Sequence, residues 1–271
     1  MNNAAIGVFD SGVGGLTCVA ELSKLMPGEN IVYLGDTARV PYGTKSAATI
    51  EKYAKEDIRF LEQFNVKMIL IACGTVSSVL MTRPLFEDSS VTSFSGVIYP
   101  TVTAACAATR NGRIGVIGTP ATIRSGCYGK AIRQLNKDLK VVSKACPMFV
   151  PLVENGYTER GNKVSTLIAE EYLSGMKQEG VDTLILGCTH YPHLSAIIND
   201  VMGGEVELIS SGAEIAKYAQ RTLMTEEAAA ERREPGTLEL FCTDSEELFA
   251  ENVETFLGRK DNIKISKCSL K

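Results

Sequence analysis

The chain has 271 residues, 45% apolar and 22% charged, which suits one large or two average domains of ordinary globular composition. With 28 Lys and Arg against 32 Asp and Glu its formal charge is −4, so it carries no basic footprint for a nucleic-acid backbone or an anionic membrane. Its eight cysteines form no CxxC pair, which excludes a disulfide scaffold, a zinc ribbon and a thioredoxin-type motif.

The first residues, Met-Asn-Asn-Ala-Ala-Ile-Gly, lack the basic stretch and apolar core of a secretory signal. The longest apolar runs, such as residues 68–73, are strand-sized and too short for ~30 Å of hydrocarbon. A cytoplasmic protein with mostly free thiols is therefore expected. In chain order, residues 5–9 read as a strand, 15–26 as a helix, 31–34 as a strand and 46–64 as a helix. A strand at 68–72 precedes a helix at 76–86, a strand at 91–97 and a helix at 101–109. Next come a strand at 113–117 and helices at 123–136 and 161–179. The series ends with strands at 183–186 and 206–209, a helix at 213–231, and strands at 238–242 and 263–267. Residues 225–234 are highly charged and read as a solvated helix end or linker. Apolar strands alternating with helices predict an α/β fold with mostly parallel sheets.

A weak duplication runs through this pattern. Residues 6–12 resemble 114–120, and residues 68–75 resemble 183–190, in the same order and at nearly the same separation. Each pair ends a buried strand on a polar residue or thiol just before a helix. Two similar α/β domains are expected, related by a pseudo-two-fold axis, with the active site in the cleft between them. The first would comprise residues 1–97 plus 211–271, and the second residues 98–210.

In open α/β sheets, ligands bind beyond the carboxyl ends of the strands. Four polar groups fall there: Asp10-Ser11-Gly12, Pro41-Tyr42-Gly43-Thr44, Cys73-Gly74-Thr75 and Cys188-Thr189-His190. Cys73 and Cys188 each end an apolar strand and open a helix, where the partial positive charge favours thiolate. Opposed across a pseudo-two-fold axis, two such thiols suit inversion of a stereocentre, one removing a proton and the other adding one. The other six cysteines read as buried structural thiols.

The run Cys188-Thr-His190-Tyr-Pro-His193 invites a metal reading, but no second cluster supplies the remaining ligands, and no metal is expected. His190 fits better as a proton partner of Cys188, and His193 as a capping or packing residue. Asp10-Ser-Gly-Val-Gly-Gly matches neither GxGxxG nor GxxxxGK[ST]. Asp10 fits an acceptor for a ligand ammonium, a modulator of a thiol, or an N-cap of the following helix. Amides of the glycine turns can bind a carboxylate.

Together, Phe9-Asp10-Ser11-Gly12-Val-Gly14-Gly15-Leu16, Tyr33-Leu-Gly-Asp36-Thr, Pro41-Tyr42-Gly43, the stretch Cys146 to Glu154, and Leu186-Gly-Cys188-Thr-His190-Tyr-Pro resemble bacterial glutamate racemase, over nearly the whole chain. The resemblance implies a cofactor-independent isomerase that interconverts L- and D-glutamate for peptidoglycan. It implies Cys73 and Cys188 as catalytic thiols, Asp10 assisting the first, and Glu154 with His190 assisting the second. Ser11, Tyr42, Gly43, Thr75 and Thr189 would line the substrate, with Thr119 or Thr122 added. It also implies a homodimer and a small-molecule partner, without nucleic acid or membrane. One departure stands out: the family reads Ala-Cys-Asn-Thr-Ala-Ser where this chain has Ala72-Cys73-Gly74-Thr75-Val76-Ser77. Gly74 offers only its backbone to the substrate. Rival expectations are a relative acting on another acidic amino acid, a non-catalytic glutamate-binding protein, and a redox sensor closing a Cys73–Cys188 disulfide. No lysine is singled out for an imine-forming cofactor, and none is expected.

Overall fold

The structure is a computed structural model that describes residues 2–83, 85–87, 89–91, 93–232, 234–258 and 263–270. In chain order the elements begin β1 (Ala5–Asp10), α1 (Leu16–Leu25), β2 (Ile31–Gly35), two short 3₁₀ turns (Thr37–Arg39 and Tyr42–Thr44) and α2 (Ala47–Glu62). They continue with β3 (Val66–Ile71), α3 (Gly74–Leu80), β4 (Phe94–Gly96), α4 (Ile98–Ala108), β5 (Arg113–Gly118), α5 (Pro120–Ser125) and α6 (Cys127–Leu135). Next are β6 (Lys140–Ala145), α7 (Phe149–Glu154), α8 (Lys163–Gln178), β7 (Thr183–Leu186), a 3₁₀ turn (Tyr191–Leu194) and α9 (Ser195–Met202). The series closes with β8 (Glu207–Ser210), α10 (Ser211–Thr225), β9 (Leu238–Cys242), α11 (Glu246–Leu257) and β10 (Lys264–Lys267).

The chain divides into two compact units, Met1–Val97 with Gly212–Lys271, and Ile98–Ser211. The first holds a six-stranded parallel sheet in the order β10-β9-β2-β1-β3-β4. The second holds a four-stranded parallel sheet in the order β6-β5-β7-β8. The run β2-β1-β3-β4 and the run β6-β5-β7-β8 follow one plan: the first strand is central, flanked by the second and third. The duplication in the sequence is therefore a duplication of topology, with β1, β2, β3 and β4 matching β5, β6, β7 and β8.

Local chemistry explains the elements. Every residue of β1 and β2 is buried, as expected of central strands covered on both faces. α2 starts where Ser46 Oγ accepts the Thr49 N–H, and it buries Ile50, Ala54, Ile58 and Leu61 at helical spacing against the sheet. Gly115 of β5 lets neighbours pack closely, since a Cβ there would sit 2.7 Å from Leu184 Cδ1 and 2.9 Å from Val181 Cγ1 and those side chains would have to shift.

Four expectations change. The helix expected at 123–136 is two helices, broken at Gly126, whose φ of +63° lies in the left-handed region. The helix expected over 213–231 ends at Thr225, beyond which Glu227 turns the chain with a φ of 52°. The helix expected from 76 starts at Gly74 and ends at Leu80, with Cys73 as its N-cap residue. The strand expected at 91–97 covers only Phe94–Gly96. Those last two expected segments and the charged stretch 225–234 pass through residues 84, 92 and 233, which lie outside the described residues.

Candidate active site

In the first unit, Asp10 ends β1 and is buried, and its Oδ2 accepts the Gly12 N–H at 3.1 Å. The turn that follows is tightly wedged. A Cβ on Gly15 would sit 2.5 Å from Asp10 Cβ and 2.9 Å from Tyr33 Oη, so no other residue fits there. Tyr33 Oη donates to Gly12 O at 2.6 Å. Cys73 follows β3 by two residues, and the preceding Ala72 N–H donates to Phe9 O at 3.0 Å. The Cys73 thiol donates to Ser11 Oγ at 3.6 Å. Burial, reinforced by the Asp10 carboxylate, pushes this thiol up to about 12, against the pull of the Val76 N–H and of Ser11. Gly74 and Thr75 open α3, both buried.

Tyr42 is only 1% exposed. Its phenol contacts Asp36 Oδ2 and lies 3.2 Å from Asp57 Oδ2, so its ring tip is engaged within the protein and only its backbone and that of Gly43 remain to meet a ligand. The role implied for Tyr42 therefore narrows to its main chain.

In the second unit, β7 ends two residues before Cys188, and the intervening Gly187 N–H donates to Ile117 O at 2.8 Å. This repeats the Ala72–Phe9 bond at the matching place. A Cβ on Gly187 would lie 2.7 Å from Ile117 O, so glycine is required there. Cys188 Sγ is 3.9 Å from His190 Nδ1, and Thr189 Oγ1 is 3.5 Å from the same nitrogen. The other ring nitrogen, Nε2, is 2.9 Å from Glu154 Oε1. Burial alone would lower the His190 pKa, but Cys188 and Glu154 more than offset it and raise it to about 10. The Cys188 and Glu154 contacts thus favour the protonated imidazolium form of His190.

Tyr191 fixes this arrangement. It is fully buried, its hydroxyl donates to Cys146 O at 2.8 Å, and its ring meets Phe149 edge-on at 5.2 Å. Phe149 opens α7, whose last residue is Glu154, so one tyrosine links the turn of Cys188 and His190 to the helix of their carboxylate. Thr119 caps α5, its Oγ1 accepting the Thr122 N–H at 3.3 Å, and Thr122 is buried. His193 lies in the 3₁₀ turn, partly buried, its pKa lowered by burial and by His190.

Within the first unit, Asp10, Ser11 and Cys73 come together; within the second, Glu154, Cys188, Thr189 and His190 do. Among the described residues no group of three or more His, Cys, Asp or Glu is arranged to hold a metal ion. All eight cysteines are free thiols. Among the described residues no helix is long and apolar enough to cross a membrane. Sequence reasoning misses the positioning roles of Tyr191 and of the carboxylates around Tyr42. The signal for the latter is Asp57, a charged residue on the apolar face of α2 between Ala54 and Ile58.

The Asp/Glu/Hydantoin racemase family profile matches residues 16–219. A glutamate racemase from Geobacter metallireducens is 46% identical over 256 residues, 94% of this chain and 93% of that one. The crystal structure of glutamate racemase isoform RacE1 from Bacillus anthracis superposes with a TM-score of 0.93 at 37% identity, covering 100% of this chain and 99% of the other. Glutamate racemase from Francisella tularensis, solved in complex with D-glutamate, gives 0.90 at 35% identity, with 100% and 99% covered. Sequence, strand order and full-length likeness agree: the chain belongs to the glutamate racemases of the Asp/Glu/Hydantoin racemase family.

Proposed function

We propose that this chain interconverts L- and D-glutamate by passing the α-proton between two thiols, Cys73 and Cys188, and so supplies D-glutamate for peptidoglycan. The observation that carries the reading is their topological equivalence: each stands two residues beyond a matching strand, β3 or β7. Their neighbours are opposite in charge. Burial and the Asp10 carboxylate favour the protonated form of Cys73, whereas Cys188 lies beside His190, whose protonated form Glu154 favours.

That polarity assigns roles. In one direction a thiolate at Cys188, paired with the imidazolium, takes the α-proton while the Cys73 thiol protonates the opposite face. In the reverse direction the roles exchange, with Asp10 and Ser11 acting on Cys73 and the Glu154–His190 pair on Cys188. The carbanion formed beside a carboxylate is stabilised by positioning, water exclusion and backbone donors. Those donors are the amides of Ser11, Gly43, Gly74, Thr75, Thr189 and His190, with the hydroxyls of Thr119 or Thr122 alongside. The resemblance further supports a cytoplasmic homodimer, which sedimentation equilibrium of the purified protein would test.

The experiment is incubation with L-glutamate followed by chiral analysis, repeated with L-aspartate and other acidic amino acids because Gly74 lacks the family's asparagine amide. Glutamate should be the best substrate, and product formed in D₂O should carry deuterium at Cα. Cys73→Ala and Cys188→Ala should each lose racemisation while keeping the far-UV spectrum of the parent. Full activity in either variant would refute the two-thiol scheme, and a tenfold preference for another amino acid would refute the substrate.

A further inference from the structure

Beneath the Tyr42–Gly43 backbone lies a closed cage of charged side chains. Arg39 Nε donates to Asp36 Oδ2 at 2.5 Å, and its two terminal nitrogens donate to Glu56 and, at 3.2 Å, to Asp57 Oδ1. Its guanidinium also lies 4.0 Å over the Tyr53 ring. Thr243, just past β9, donates to Asp36 Oδ1 at 2.8 Å. Tyr53, Glu56 and Asp57 share one face of α2, so Arg39 clamps the loop after β2 onto that helix. The loop also meets the glycine turn: Asp36 N–H donates to Asp10 O at 3.1 Å, and Val40 Cγ1 lies 3.2 Å from where a Cβ on Gly12 would be.

Tyr42 has one phenolic proton, yet its oxygen lies between Asp36 Oδ2 and Asp57 Oδ2. The closer contact, to Asp36, takes that proton. The hydroxyl also reaches Asp57 Oδ2 at 3.2 Å, so the phenol links the two acids. Burial is the main cause that raises the Asp57 pKa, and Asp36 and Glu56 add to it, against the pull of Arg39 and of the Tyr42 hydrogen bond; Cys268 is a further acidic neighbour.

We propose that Asp57, hydrogen-bonded to Tyr42, is a positioning residue that holds the Tyr42–Gly43 main chain in its substrate-binding conformation. This rests on the racemase reading above. A loop contact made equally in ground and transition states affects KM rather than kcat.

The test measures three variants for glutamate kinetics, thermal stability, and hydrogen exchange of residues 40–45. Asp57→Asn keeps a hydrogen-bond partner for the phenol and an acceptor for Arg39, and should match the parent in all three. Asp57→Ala and Tyr42→Phe each break the link, and should raise KM about tenfold with kcat little changed, while exchange at 40–45 speeds up. If Asp57→Ala fails to fold, Tyr42→Phe, which retains the ring against Tyr53 at 5.5 Å, carries the comparison. An unchanged KM and unchanged exchange in Tyr42→Phe would overturn the proposal, as would Asp57→Asn behaving like Asp57→Ala. Lack of glutamate turnover by the parent protein would instead overturn the racemase reading, and exchange at 40–45 would still decide whether the cage holds the loop.

Discussion

Glu154 sits at a helix end with its side chain 46% exposed, yet it helps set the ionisation of a histidine that is nearly enclosed. His190 is raised from 6.5 to about 10 because Cys188 and Glu154 outweigh the burial that would lower it. A group raised on folding contributes stability that is complete below its unfolded value and is lost as pH rises through its folded value. Here that window runs from about pH 6.5 to about pH 10. Glu154→Gln removes one of the two supports and should bring His190 back toward its ordinary value. The parent should exceed the variant in stability by about 0.5–1 kcal/mol near pH 6, a modest figure because the carboxylate is half in water. The gap should close as pH approaches 10. Thermal midpoints of both proteins between pH 5.5 and 10 check this, and a gap independent of pH would show that Glu154 does not act through the histidine charge.

The elements that carry these residues are held by polar as well as apolar contacts. Lys67, on β3, lies 2.6 Å from Glu29 Oε2, with side chains only 2% and 3% exposed. The ammonium also donates to Asn2 O at 2.9 Å and Ala228 O at 2.8 Å, and Glu29 Oε1 accepts the Ala230 N–H at 2.7 Å. Two ammonium protons thereby go to backbone carbonyls and the charge faces Glu29, so the strand that leads to Cys73 is tied to the segment after α10. Lys67→Met should cost about 3–5 kcal/mol, because it strands a buried carboxylate, whereas the double change Lys67→Met with Glu29→Leu should recover part of that loss. Urea unfolding of the three proteins decides it, and equal losses for single and double variants would sink the argument. Much of this layer is legible in the sequence because central strands are continuous apolar runs: β7 and β9 fall where the sequence places them, at 183–186 and 238–242. β6 is not, since Lys140–Ala145 is a half-exposed edge strand with lysines at both ends of its run. α7 is hidden by Pro147 and Pro151, residues that ordinarily argue against a helix but are tolerated at or before the first turn. α11 carries a Ser245 cap and Phe249, Val253 and Phe256 at helical spacing, a pattern present in the sequence that the reading passes over. Asp10, Cys73, Cys188 and His190 are readable as strand-end residues, Glu154, Thr119 and Thr122 come only from the family resemblance, and the Asp57–Tyr42 contact joins residues on two elements that no local pattern announces.

At the scale of the whole molecule, one strand plan is used twice, and six of the eight thiols are buried, whereas Cys106 and Cys268, expected to be buried structural thiols, are only partly so. Burial raises Cys18 well above the ordinary thiol range, and raises Cys73 and Cys146 to about 12. In Cys18 and Cys73 the Asp10 carboxylate adds to the effect of burial. The unfolded chain has no such environment, so its thiols ionise near their ordinary value of ~8.5. Above that pH the unfolded state releases protons that the folded state keeps, and stability must fall as pH rises. Each thiol behaving this way adds about 1.4 kcal/mol of loss per pH unit, so these three together remove about 4 kcal/mol per unit between pH 9 and 12. A domain with 5–15 kcal/mol of stability would then unfold within two or three units of that onset. The protein should accordingly show a steep alkaline transition near pH 11, well below the pH at which its arginines lose charge. Cys18→Ala removes the most strongly perturbed of the three without touching the candidate active site, and should flatten the slope by about 1.4 kcal/mol per pH unit while leaving stability near pH 7 lower by the small loss of packing. Urea midpoints at half-unit steps from pH 8 to 11 measure the slope directly. An identical slope in the parent and in Cys18→Ala would mean that groups other than the buried thiols govern the alkaline limit of this fold.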